Sequence, residues 1–93
     1  MNDKVVDKAK EVRKALEELP EVQEYLKLKD LLEHDESLKE MRNNIARLKK
    51  ENKIEERDNL LKIYHSHPLV NNFYLAKEEV KSILLTIQSL LED

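Results

Sequence analysis

Not one of the 93 residues is glycine. Average usage of roughly 7% would supply about six. Phosphate-cradling loops and dinucleotide-binding fingerprints both need backbone conformations that only glycine adopts cheaply, so both are excluded. A single threonine, Thr86, and four aromatic residues argue against a sheet as well. Cysteine is also absent. That removes disulfides, Cys-ligated zinc and iron–sulfur ligation within the chain, and no cofactor is expected. Charged residues make up 40% of the chain, against roughly 25% in an average globular protein. The profile is that of a single all-α domain. The charged start Met1-Asn2-Asp3-Lys4 offers no apolar signal region, and no apolar run approaches the ~20 residues that span a bilayer. The expected location is therefore the cytoplasm, away from membranes.

Periodicity and helix breakers divide the chain into helices at about 3–19, 20–33, 37–51, 54–65 and 68–91. The expected architecture is an antiparallel helical bundle of three to five helices with a long C-terminal helix. Asn2 or Asp3 can cap the first helix, whose apolar residues Val5, Ala9, Val12, Leu16 and Leu19 follow heptad-like steps. Pro20 ends that helix and suits the first turn of the next. The second helix presents Val22, Tyr25, Leu26, Leu28 or Lys29, and Leu32. Either Asp35 or a Ser37/Glu40 capping box can start the third. Leu38, Met41, Ile45 and Leu48 then form its stripe. At Asn52-Lys53 the phase shifts, and asparagine tolerates the left-handed conformation that ends helices, which favours a break there over one long helix. Leu60, Leu61 and Tyr64 carry the next stripe, and Ser66-His67-Pro68 forms the last boundary.

The last helix carries apolar residues at Val70, Phe73, Tyr74, Val80, Ile83, Leu84, Ile87, Leu90 and Leu91, with Leu75 and Leu85 off the main stripe. At about 36 Å it is longer than the other helices can cover. Self-association is therefore expected, as a homodimer or a dimer of dimers, with Phe73, Val80, Leu84, Ile87 and Leu91 at the oligomer interface. Pro20-x-Val22-x-x-Tyr25-x-x-x-Lys29 and Pro68-x-Val70-x-x-Phe73-x-x-x-Lys77 open their helices alike. Such likeness can come from a duplicated hairpin or from the common way buried helices begin.

Charge is unevenly spread. Residues 37–53 carry six basic and two acidic side chains, while the flanking segments are both net acidic. Arg42, Arg47, Lys49 and Lys50 are the candidate partner- or phosphate-binding residues. The plainer expectation is a solvated helix face. Direct nucleic-acid binding through residues 39–53 is the alternative function, and it rests on charge alone because that segment has no aromatic residue. His65 and His67 point to different faces of a helix and lack a third ligand, so capping and surface roles fit better than a metal. His34 sits where a cation favours a helix C-terminus. Carboxylates are scattered, and the four serines lack a partner histidine pattern. No enzyme is expected.

The segment from Tyr64 to Leu91, centred on His67-Pro68-Leu69-Val70-Asn71-Asn72-Phe73-Tyr74-Leu75-Ala76-Lys77, resembles the last core helix of the YlbF/YmcA family of small bacterial proteins. Glu24-Tyr25-Leu26 through His34-Asp35 resembles that family's second helix and Asp-containing turn. Asn52-Lys53 stands where many members have a Gly-Lys turn. The resemblance implies a non-catalytic regulatory adaptor of Gram-positive bacteria, active in competence, sporulation and biofilm control. YlbF and YmcA act with a third protein, YaaT, and influence mRNA processing by RNase Y. Beside further copies of this chain, which the surplus stripe already implies, the resemblance adds other YlbF/YmcA-type or YaaT-like proteins as expected partners. Those two proteins carry cysteines implicated in iron–sulfur binding, which this chain lacks; a YheA-like paralogue is the other reading of the resemblance.

Overall fold

The computed structural model describes residues 3–92, and over these it is all-α. Five helices follow one another: α1 (Asp3–Glu17), α2 (Pro20–His34), α3 (Glu36–Lys50), α4 (Ile54–Ser66) and α5 (Pro68–Glu92). Asn2, one of the two expected caps of α1, lies outside the described residues. α1 stops two residues before the expected end. Pro20 forces Leu19 into an extended conformation (φ −67°, ψ 135°), and the last turn tightens so that the Leu19 N–H donates to the Leu16 carbonyl at 3.1 Å.

Three short connections set the topology. Asp35 closes α2 and opens α3: its own N–H donates to the Leu32 carbonyl, and its carboxylate accepts from the Leu38 N–H at 2.9 Å. The start of α3 is therefore Glu36, and the Ser37/Glu40 capping box is not the cap that is used. His67 plays the same double part between α4 and α5. Its N–H donates to the Tyr64 carbonyl at 3.2 Å, and its ring Nδ1 accepts from the Leu69 N–H at 3.1 Å. The chain breaks at Asn52, which sits at φ 60°. Lys53 N–H donates to the Leu48 carbonyl and Asn52 N–H to the Lys49 carbonyl, the paired bonds of a Schellman motif with asparagine in the usual glycine position.

α2 packs antiparallel to α5 and α3 antiparallel to α4. The two pairs join at the Asp35 and His67 turns. The hydrophobic core lies at that junction, where Leu32, Leu38, Tyr64 and Val70 are buried together against Met41, Ile45, Leu69 and Phe73. Leu38 and Val70 are fully enclosed. Along α2 and α5, Leu28 and Ala76 are buried, and Tyr25 stacks on Phe73 with ring centroids 5.5 Å apart. The aromatics of the two similar Pro-x-Val-x-x-aromatic segments thus meet face to face. Leu26, expected on the buried face of α2, is instead exposed, because Leu28 and Leu32 point at α5 and the junction.

Among the described residues, α1 contributes no buried side chain and comes close only to α2. The molecule is elongated, 51 × 25 × 24 Å, with a radius of gyration of 17.9 Å. A compact domain of this length has about 12 Å.

Candidate functional site

Exposed apolar side chains are grouped on two faces, one on α1 and one on the distal half of α5. α1 carries a regular heptad stripe that, among the described residues, is left largely open: Val5 is 63% exposed, and Val12 is exposed too. α2 covers α5 only as far as its own first turn. Beyond it Ile83 and Ile87 are half-buried, and Leu84, Leu85, Leu90 and Leu91 are exposed, Leu91 at 78%. Between the start of α2 and the middle of α5 lies an open groove of about 320 Å³, lined by Tyr25, Lys77, Val80, Lys81 and Leu84. Its walls are mostly apolar, with two lysines at the rim. The folded chain exposes 7654 Å². A compact monomer of 11.1 kDa exposes roughly 5,700 Å².

The residues expected at an oligomer interface divide accordingly. Val80 and Leu84 line the groove, Ile87 lies half-buried beyond it, and Leu91 stands free at the far end. Phe73 is placed differently. It stacks on Tyr25 and packs against the junction core, so its ring is occupied within the chain. Tyr25, Lys81 and the α1 valines belong to this surface and were not among the expected interface residues. The even heptad steps of α1 were the available signal, since such a stripe needs a facing helix somewhere.

The basic segment is less unified than its charge suggests. Arg42 reaches across to α4, where its guanidinium donates to the Tyr64 hydroxyl at 3.2 Å. This bond satisfies the polar end of a tyrosine that is otherwise enclosed. Arg47 pairs with Glu51 at 3.1 Å. Lys49 and Lys50 are exposed on the surface of α3. Of the four candidate residues, Arg42 is therefore engaged within the fold, Arg47 is held in an exposed ion pair along its own helix, and Lys49 and Lys50 face solvent.

Around the α4–α5 corner the aromatic groups pack on one another. His65 lies against Tyr64 and Tyr74, with its ring centroid 5.0 Å from that of Tyr74, while Lys77 Nζ sits 5.7 Å over the Tyr74 ring. His65 also borders a shallow groove of about 570 Å³ along α4, with Asp58, Leu61, Lys62 and Ser66. His67 is turned back to cap α5, so the two histidines of the His-x-His pair face different neighbours.

A family model described as "Control of competence regulator ComK, YlbF/YmcA" matches residues 5–93. The chain belongs to the YlbF/YmcA family. No curated protein and no solved structure matches it. The YlbF/YmcA match runs from the first stripe residue of α1 to the end of the chain, so it takes in both uncovered surfaces and the groove between them. Family membership links the chain to regulation of competence. Among the described residues no helix is long and apolar enough to cross a membrane.

Proposed function

We propose that this YlbF/YmcA-family chain is a self-associating, non-catalytic regulatory adaptor that works in the cytoplasm. Its task is to hold other proteins together, with partners of the YlbF/YmcA or YaaT type, and through them to modulate RNase Y-dependent mRNA processing and competence. One observation carries the reading: two apolar faces, the stripe of α1 and the outer side of distal α5, stand exposed among the described residues. Apolar side chains grouped on one exposed face mark protein–protein contact sites. The chain's surface exceeds that of a compact monomer by roughly 2,000 Å², whereas each partner in a standard interface buries about 800 Å². There is room for self-pairing and for a further partner.

The test is genetic and biochemical together. Deleting the gene in its native host is expected to alter processing of RNase Y-dependent transcripts and to lower competence. The unmodified chain restores both, and a Leu84→Glu/Ile87→Glu chain does not. The purified protein alone leaves RNA uncleaved. Unchanged transcripts and competence in the deletion strain would overturn the reading.

A further inference from the structure

We infer that α1 of one copy lies in the α2–α5 groove and along distal α5 of a second copy, and that the exchange is reciprocal about a two-fold axis. This rests on the self-association proposed above and names the surfaces that make it. The two faces left uncovered in one chain are of matching kind. α1 offers a narrow ridge of small and β-branched side chains, Val5, Ala9 and Val12, ending in Leu16. The groove and its extension offer mostly larger ones, Leu84, Ile87 and Leu91, beside Val80. Facing small against large side chains is how helices interdigitate without voids. The lengths also agree: 15 residues of α1 and the 13 from Val80 to Glu92 both span roughly 20 Å.

Within one chain the exchange does not occur. α1 leaves from the start of α2, and among the described residues its backbone does not approach α5. In a two-fold pair each copy covers two faces, the ridge of one and the groove of the other, so every contact counts twice. That arrangement draws on the surplus surface of both chains. It also accounts for a 15-residue helix in which only Leu16 is half-buried and no residue is fully buried, since isolated helices of that length are marginal in water. A different protein seated on α5 would leave the α1 ridge uncovered.

The native chain has no cysteine, which makes disulfide trapping clean. A disulfide needs Cα atoms within about 7 Å, a distance that α1 and α5 of one chain do not reach. Val12→Cys chains are mixed with Leu84→Cys, Ile87→Cys or Leu91→Cys chains and oxidised mildly. The expected result is a linked dimer in at least one mixture and little or none from any single variant alone. Linked dimers arising only from single variants, α1 to α1 or α5 to α5, would overturn the exchange while leaving self-association standing. Sedimentation of the unmodified protein as an 11.1 kDa monomer would overturn both. As a second measurement, Val5→Glu/Val12→Glu alters side chains that are already exposed. It is expected to weaken pairing about a hundredfold, with the near-ultraviolet signal of buried Tyr64 retained. Pairing unchanged by that double variant would also overturn the exchange.

Discussion

His34 ends α2 with its ring Nδ1–H donating to the Asp30 carbonyl oxygen at 2.8 Å, and the Asp30 carboxylate lies 3.3 Å away. The backbone hydrogen bond, then the nearby carboxylate, favours the charged ring and raises its pKa above the usual 6.5. A raised folded-state pKa means that protonation favours the folded state. The contribution is fully present below pH 6.5 and is lost as pH climbs through the raised value. Denaturation followed across that window is expected to show stability falling with rising pH, and His34→Ala is expected to flatten the slope. Asn52 makes a second residue-scale case. At φ 60° a side chain with Cβ is strained, least so for asparagine and not at all for glycine. Asn52→Ala is expected to cost about 1 kcal/mol in urea titrations, whereas Asn52→Gly keeps or raises stability.

At the scale of elements, the turns separate residues that look alike in sequence. Asp35 accepts from the Leu38 N–H, while Ser37 lies one position inside α3. Asp35→Ala is expected to lower the melting stability by about 1 kcal/mol, and Ser37→Ala to leave it nearly unchanged. The sequence could not separate these two caps, because both place an oxygen within reach of α3 and only the path of the chain out of α2 decides between them. Other features were legible. Leu38, Met41, Ile45 and Leu48 in steps of three and four marked the inner face of α3, and the phase shift at Asn52 marked its end. Pro20 and Pro68 fixed two helix starts, since proline suits a first turn and little else in a helix. What periodicity cannot convey is which neighbour covers a stripe. Val5, Ala9 and Val12 are patterned as regularly as the α3 stripe, yet one set is exposed and the other packed. Arg42 is similar: its charge was plain in sequence, but its bond to Tyr64 spans 22 positions and two helices.

At the scale of the whole molecule, the core is concentrated where the Asp35 and His67 turns meet, and the ends of both helix pairs extend away from it. This arrangement has a consequence for the order of folding. Docking α2 on α5 encloses the entire α3–α4 segment, and closing so long a loop in an unfolded chain carries an entropic penalty. The α3–α4 hairpin has only the three-residue Asn52 turn to close, so it forms with far less loss. Once formed, it brings Asp35 and His67 side by side and reduces the long loop to a short one. In stopped-flow refolding, Leu48→Ala beside that turn is therefore expected mainly to slow folding. Leu28→Ala on α2 is expected mainly to speed unfolding. The Schellman turn at Asn52 thus acts as a kinetic gate. Until it closes, the two helices that carry the exposed leucines have no reason to find each other, and those leucines remain on an open chain available to wrong partners.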